Sequence, residues 1–316
     1  MDIIKIKSPD KKKLEELLLY LDQRFSAYFK KKFFKTFASN PHCTLYIAKE
    51  KKAINGLALF TFLEWDSDIF GFKMGKIENV LMNMGNSLRY KFLNEIVNDC
   101  MKEHYTHISC RLGPKDYETI HILEKLGFNI FDIQITLSTP EGFSNASVES
   151  SQEFLIREAL ERDLVQLKKV VKDSFTDTRF VVDQKFPRNG VNKLYSEWIK
   201  NSVFNPKQFV FVAQDKISKL LTAFSIASFD PDIEEAFGAR VGSIDLIAVL
   251  EKNRNQGIGQ LLTRFVLNWF KEKVDKVEIR TQISNVPAVR AFMRGGFTEF
   301  SSGKKLPAGI TMHRWF

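Results

Sequence analysis

The chain has 316 residues, 44% of them hydrophobic and 27% charged, with a formal net charge of +9 and 29 phenylalanines. That balance is ordinary for a soluble globular protein of one large domain or two average ones. No apolar run approaches the roughly 18–20 residues that span a bilayer, the opening MDIIKIKSPDKKK has no secretory h-region, and Cys43, Cys100 and Cys110 match neither a disulfide framework nor a zinc site.

A reducing, cytoplasmic setting and no metal are therefore expected. The first patterned stretch, RFSAYFKKKFFKTF (residues 24–37), interleaves aromatic and basic residues. Such a run can track single-stranded nucleic acid, but an amphipathic helix laid against a core accounts for it more simply. The lysines are otherwise dispersed, so no nucleic-acid partner is expected. A basic balance also suits a small ligand carrying several phosphates. Further on, residues 138–152 (STPEGFSNASVESSQ) are polar and without hydrophobic period, which predicts a linker at 141–152 between domains at 1–140 and 153–316.

After the linker, FLIREALERDLVQLKKVVKDSF predicts a short strand and then a helix with apolar positions Leu160, Leu164, Leu167 and Val170–Val171. A helical stretch at 192–203 follows, then strands at 208–213, 219–229 and 241–250. Next come a glycine-containing loop, a long amphipathic helix to about Lys273, a strand at 276–283, a helix at 285–295, and strand-like pieces around Phe297–Phe300 and Ile310–Phe316. This order predicts a mixed α/β sheet flanked by helices.

The N-terminal half carries an echo of that pattern. Shifting ISCRLGPKDYETIHILEKLGFNIF (108–131) by 169 positions lays it without a gap on VEIRTQISNVPAVRAFMRGGFTEF (277–300). Arg111 meets Arg280, Gly127 meets Gly296, Phe128 meets Phe297 and Phe131 meets Phe300, and the apolar positions agree, which points to an internal repeat. At the same offset Leu88 and Tyr90 stand where the other half has Gly257 and Gly259. Only the C-terminal half is then expected to hold the ligand.

The loop NRNQGIGQ (253–260) sits between an apolar strand and a helix whose Ile258, Leu261, Leu262, Phe265, Val266, Trp269 and Phe270 share a face. A helix N-terminus offers unpaired N–H groups and the positive end of the helix dipole, a ready cradle for a pyrophosphate. Glycine lets the backbone approach closely, and Arg254 is placed to add a cation. Taken alone, two glycines also suit an ordinary strand-to-helix turn. No Gly-Lys-Ser/Thr follows, and Leu262 breaks a Gly-x-Gly-x-x-Gly fingerprint.

In order, IDLIAVLEKNRNQGIGQLLTRFVLNW and IRTQISNVPAVRAFMRGGF resemble the GCN5-related N-acetyltransferase (GNAT) superfamily across about residues 153–316. The signature Arg/Gln-x-x-Gly-x-Gly/Ala is met by Arg254, Gly257 and Gly259, and the later Asn-x-x-Ala helix ending in Gly-Phe by Asn285, Ala288, Gly296 and Phe297. The resemblance implies a GNAT-type mixed central sheet with a degenerate GNAT-like N-terminal half, and acetyl-CoA as cosubstrate. It further implies that backbone groups of Ile247, Ala248 and Val249 hold the pantetheine arm, that the loop residues Arg254, Asn255, Gln256, Gly257, Ile258 and Gly259 take the diphosphate, and that Asn285 also touches the coenzyme. The segments at 63–77, 174–186, 194–203 and 280–292 are similar to those of bacterial dTDP-fucosamine and related nucleotide-amino-sugar N-acetyltransferases. That likeness implies an amino-sugar acceptor, nucleotide-linked, for a surface polysaccharide.

Acetylation of an amine needs a neutral amine, a polarised thioester carbonyl and a way for the thiolate to leave. A free N–H around Ile247–Ala248 serves the carbonyl if the neighbouring strand parts there. The tyrosine that often protonates the thiolate in the superfamily is replaced by Phe292, which has no proton to give. His313 is a candidate acid and Asp245 a candidate base through water, each with a structural alternative, and Asp245 is expected on one strand face with Ile247 and Val249. Thr176, Asp177, Arg179 and Asp183 form a polar cluster assigned to the acceptor. A protein or peptide amine as acceptor, or an acyl-CoA-binding regulator without catalysis, remain as alternatives, and a homodimer is left open.

Overall fold

The computed structural model describes residues 1–7, 35–38, 40–51, 53–140, 142–143, 151–172, 174–231, 234–235, 238–300 and 308–316. Most of the run expected as an amphipathic helix (24–37) and most of the expected linker (141–152) lie outside the described residues. The chain divides into two compact units, Met1–Asp132 with Gly309–Phe316, and Ile133–Ala308.

In the first unit the strands lie in the order β1 (Asp2–Ile6), β2 (Cys43–Glu50), β3 (Ala53–Phe62), β4 (Met74–Met82), β5 (His107–Leu112) and β13 (Ala308–Trp315). All neighbours are antiparallel except β4 and β5, which are parallel. Period-two alternation sends Leu45, Ile47, Leu57 and Leu59 to one buried cluster with Phe37, and Tyr46, Ala48, Ala58 and Phe60 to another. The second cluster is completed by helix α2 (Asn86–Lys102), whose Phe92, Leu93, Ile96, Val97 and Cys100 recur at helical spacing and are all buried. Each such large side chain contributes about 1.5–3 kcal/mol on burial. A shorter helix, α1 (Glu64–Phe70), links β3 to β4, and α3 (Tyr117–Lys125) follows β5.

The second unit orders its strands β6 (Asn129–Ser138), β11 (Lys276–Gln282), β10 (Val241–Val249), β9 (Leu221–Phe229), β8 (Gln208–Asp215) and β7 (Phe154–Glu158). The two-residue β12 (Glu299–Phe300) pairs with β6, and β10 with β11 is the parallel pair. Helix α7 (Ile258–Phe270) inserts Ile258, Leu262, Val266, Leu267 and Phe270 into a core shared with Phe211, Ala213, Ala223, Ala227, Ile244 and Ile279. The alternate residues Val210, Val212, Phe224 and Ile226 are equally buried, so both faces of the sheet are covered. Helices α4 (Leu164–Val171) and α6 (Arg188–Phe204) pack on β9 and β8, with the one-turn α5 (Arg179–Val182) between them in the chain and α8 (Val286–Gly295) against α7.

The helix expected from Leu160 starts later. Leu160 is 46% exposed and precedes a 3-10 turn at Glu161–Asp163. The cause is Asp163, whose carboxylate accepts from the Leu160 N–H at 2.8 Å and is gripped by both terminal nitrogens of Arg157 at 2.6 and 2.9 Å. That local cap replaces the first helical turn.

The repeat is borne out element by element. At the 169-residue offset β5 falls on β11 and α3 on α8. Each helix is capped by its preceding side chain: Asp116 accepts from Thr119 N at 3.3 Å, and Asn285 from Ala288 N at 3.2 Å. Gly127 and Gly296 end the two helices at φ +81° and +120°, backbone that disfavours a side chain. Arg111 Nε donates to Thr311 on β13 at 3.0 Å, and Arg280 Nε to Thr136 on β6 at 3.3 Å. The strand beside β5 therefore comes from the end of the described chain, and the strand beside β11 from its first half.

Candidate active site

β10 carries a bulge. Its register with β9 runs Ile244↔Ala227 and then Leu246↔Ile226, which leaves Asp245 as the extra residue. Gly242, close beneath the Phe270 ring, and Ile244 face α7 before the bulge, and Ile247 and Val249 pack on that side after it. The side chain of Asp245 goes to the opposite face, where Gln208 Nε2 donates to Asp245 Oδ2 at 3.4 Å. Gln208 alternates with Phe209 and Phe211, which pack on the α7 side. The expectation that Asp245 shares a face with Ile247 and Val249 is thus corrected, because one inserted residue inverts the alternation.

The parallel neighbour parts from β10 at the same place. β11 pairs with β10 only from Val241↔Lys276 to Ile244↔Ile279 and then pairs with β6 alone. From Asp245 to Val249, β10 is held on its β9 side only. The two strands run in the same direction, so their ends at Val249 and Gln282 open one edge of the sheet, and Asn285 follows three residues after Gln282.

The loop leaving that edge is tightly folded. Leu250 N extends the strand by donating to Thr222 O at 2.8 Å, and a 3-10 turn covers Glu251–Asn253. Asn255 and Gly257 both take left-handed backbone, φ +63° and +76°, a conformation that glycine enters at little cost and asparagine tolerates. α7 then begins at Ile258 with Gly257 as its N-cap and no side chain bonded to its first amides. A Cβ on Gly257 would meet no protein atom within 4 Å, and one on Gly259 would rest at 3.4 Å from Val249 Cγ2, an ordinary contact. Nothing among the described residues demands glycine at 259.

Arg254 fastens this loop from two sides. Its Nε donates to Val249 O at 3.3 Å and its Nη2 to Ser174 O at 3.4 Å. The second bond brings the segment that starts the expected acceptor cluster up to the loop. Thr176 is exposed and its hydroxyl donates to Asp177 at 3.1 Å. Arg179, at the start of α5, lies over the Phe180 ring at 4.5 Å. Asp183 is only 2% exposed and its carboxylate accepts from Lys185 N at 3.3 Å, inside the turn rather than on the surface. Behind the cluster Phe175 stacks on Tyr195 at 4.2 Å and Tyr195 on Trp198 at 6.0 Å. Tyr195 is itself buried and reads as an anchor of that stack. The bulge and the partnership of Arg254 with Ser174 have no signal in the sequence, because both depend on which strands meet.

The two acid–base candidates fare differently. Asp245 stands at the strand opening. His313 belongs to the other unit: it is fully buried on β13, stacked on Phe131 at 5.0 Å and edge-on to His107 at 4.7 Å. Phe292 is buried in the core beside Phe297. No cysteine offers a reactive thiolate, since all three are buried and burial pushes the thiols of Cys100 and Cys110 up to about 12.

A mixed sheet whose central parallel strands part beside a helix entered through glycines is the arrangement expected from the resemblance to GCN5-related acetyltransferases. Residues 170–297 match the acetyltransferase (GNAT) family model. A curated relative is the spore coat polysaccharide biosynthesis protein SpsD of Bacillus subtilis, 21% identical over 251 residues, covering 79% of this chain and 82% of that one. In fold, the chain resembles a tandem GNAT protein from the clavulanic acid biosynthesis pathway (TM-score 0.64, 10% identity, 99% and 98% of the two chains). It also resembles a GCN5-related N-acetyltransferase from Sphaerobacter thermophilus (TM-score 0.65, 12% identity, 99% and 95%). At such identities these structures speak to the fold alone.

Proposed function

We propose that the Ile133–Ala308 unit transfers the acetyl group of acetyl-CoA to the amine of an amino sugar, in nucleotide-linked form, for a surface polysaccharide. The observation that carries this reading is the opening between β10 and β11 leading straight to an uncapped helix N-terminus. Gly259 supports it as well. Glycine in a helix costs about 0.5–1 kcal/mol relative to alanine, and no atom among the described residues requires so small a residue there. A ligand lying close to the backbone would require a small one.

The main chain of Asp245–Val249, lacking a β11 partner, would align the pantetheine arm and direct an N–H at the thioester carbonyl. The amides of Gly257–Gln260 would take the diphosphate with the helix dipole behind them. Arg254 would act by fixing the loop and adding positive charge. Asn285 spends its side-chain oxygen on the cap and retains an amide NH2 as donor. A thioester supplies an activated acyl carbon and a leaving group that departs as thiolate, so Phe292 does not bar the reaction. Asp245, oriented by Gln208, would take up the amine's proton through water. Thr176, Asp177 and Arg179, joined to the loop through Ser174, would meet the acceptor, with Asp183 shaping their turn.

The amino-sugar reading rests on the segment likenesses and on the kinship with a polysaccharide biosynthesis protein. Release of coenzyme A from acetyl-CoA, measured over a panel of amino-sugar nucleotides, free amino sugars and peptides, tests it. Turnover confined to peptides would replace the acceptor. Tight coenzyme binding with no turnover on any acceptor would make the protein an acyl-CoA-binding regulator.

A further inference from the structure

The repeat gives the Met1–Asp132 unit the same scaffold as its counterpart, and the differences between them are informative. β4 pairs with β5 only over Met74–Ile77, just as β10 pairs with β11 over four residues. Tyr90, however, stands at the offset of Gly259, so a ring replaces bare backbone. Between α2 and α3 the unit forms a cavity of about 360 Å³, lined among others by Asn86, Tyr90, Tyr117, Glu118, His121 and Lys125. That size lies at the lower end of ligand sites, roughly 300–1,000 Å³.

Two aromatic rings stand at this cavity with much of their surface in water: Tyr90 is 41% and Tyr117 64% exposed. The core makes no use of those ring faces. Tyr46, Tyr105 and Tyr195 are 2%, 6% and 6% exposed, so large exposure is not general to tyrosine in this chain. The polar side is built as well. Arg89, whose side chain is 16% exposed, donates from Nε to Met84 O at 2.7 Å and pairs through Nη2 with Glu118 Oε2 at 3.1 Å. The pair fixes one oxygen of Glu118, while a carboxylate has about four lone-pair directions to offer. Asn86, His121 and Lys125 supply donors around it.

Apolar ring faces beside a held carboxylate and several donors match a pyranose, which has a C–H face and a rim of hydroxyls. We propose that this cavity is a saccharide-binding subsite taking a single sugar ring, stacked on Tyr117 and Tyr90 and hydrogen-bonded by Glu118. A polyphosphate coenzyme suits it less than a sugar, because the Glu118 carboxylate lines the cavity and the Tyr90 ring stands at the offset of Gly259. The site is independent of what the other unit acetylates.

Saturation-transfer NMR on the full chain tests this, with glucosamine, N-acetylglucosamine and methyl glucoside as probes. Transfer to ring C–H protons is expected for at least one probe. Tyr117→Ala should weaken its binding about tenfold or more, the size of losing roughly 1.4 kcal/mol, and Glu118→Gln should weaken it less. Both positions are exposed, so an unchanged melting curve will certify the fold. Arg179→Ala, in the other unit's acceptor cluster, should leave the signal intact and separates this subsite from an acceptor site there; Gly257→Val, which disables the coenzyme loop, should leave it intact as well. Absence of transfer from all three probes, transfer undiminished in Tyr117→Ala, or loss of the signal in Arg179→Ala or Gly257→Val would overturn the proposal. So would displacement of the sugar by coenzyme A in that last variant.

Discussion

Gly259→Ala and Gly259→Val together separate the needs of the protein from those of the ligand, because the signature admits alanine at this position and nothing larger. The alanine methyl would lie at 3.4 Å from Val249 Cγ2, which requires no rearrangement. It also removes unfolded-state entropy, so the fold gains up to about 1 kcal/mol. For a unit of this size that raises Tm by about 2–4 °C. Coenzyme affinity should stay near wild type in Gly259→Ala and fall in Gly259→Val. Pushing a phosphate oxygen off one amide of α7 with the larger side chain forfeits a hydrogen bond to a charged group, about 1.5–3 kcal/mol, or roughly 10- to 150-fold in Kd. Thermal melting and titration calorimetry with coenzyme A on the same preparation read both numbers. A folded Gly259→Val protein that keeps its affinity would refute the idea that the diphosphate lies against this backbone.

Gly257→Val adds a strain of about 1–2 kcal/mol at φ +76°, and should abolish coenzyme binding while circular dichroism stays native. Asp163→Asn breaks the paired hydrogen bonds with Arg157 and should cost about 3 kcal/mol by urea unfolding at neutral pH. The Arg157 guanidinium holds the Asp163 carboxyl below its usual range. The contribution is thus complete above the unfolded value of about 3.9 and fades as pH falls through the lower folded value, so the gap between wild type and variant should close only below about pH 4. Because Cys43, Cys100 and Cys110 are buried, a chromogenic disulfide reagent should find no fast-reacting thiol in the native protein and all three after unfolding.

What the sequence revealed was whatever repeats locally. The 169-residue echo was visible because helix period, cap position and terminal glycine all lie within 24 consecutive residues, and each survived as a capped helix between strands. The glycine loop was visible for the same reason. The bulge at Asp245 was not: an alternating strand and a bulged one read alike until the partner's register is known, and the facing of Asp245 was misjudged accordingly. Leu160 kept the helical apolar spacing yet lies outside the helix, because Asp163 and Arg157 redirect the backbone there. The acceptor cluster was half legible. Its polar residues stood out, but the burial of Asp183 and the bond from Arg254 to Ser174 are products of folding. Nothing local to residues 129–138 or 308–315 announces which sheet each will join.

Those two strands bear on how such a protein is made. A ribosome that has finished the first 140 residues has yet to synthesise the strand that seals the first sheet, and it has already emitted one that the second will require. Closure of the early unit thus waits on the latest segment, a long-range pairing that slows folding and leaves an unsatisfied sheet edge meanwhile. Splitting the gene at the midpoint would yield two fragments, each missing a stave.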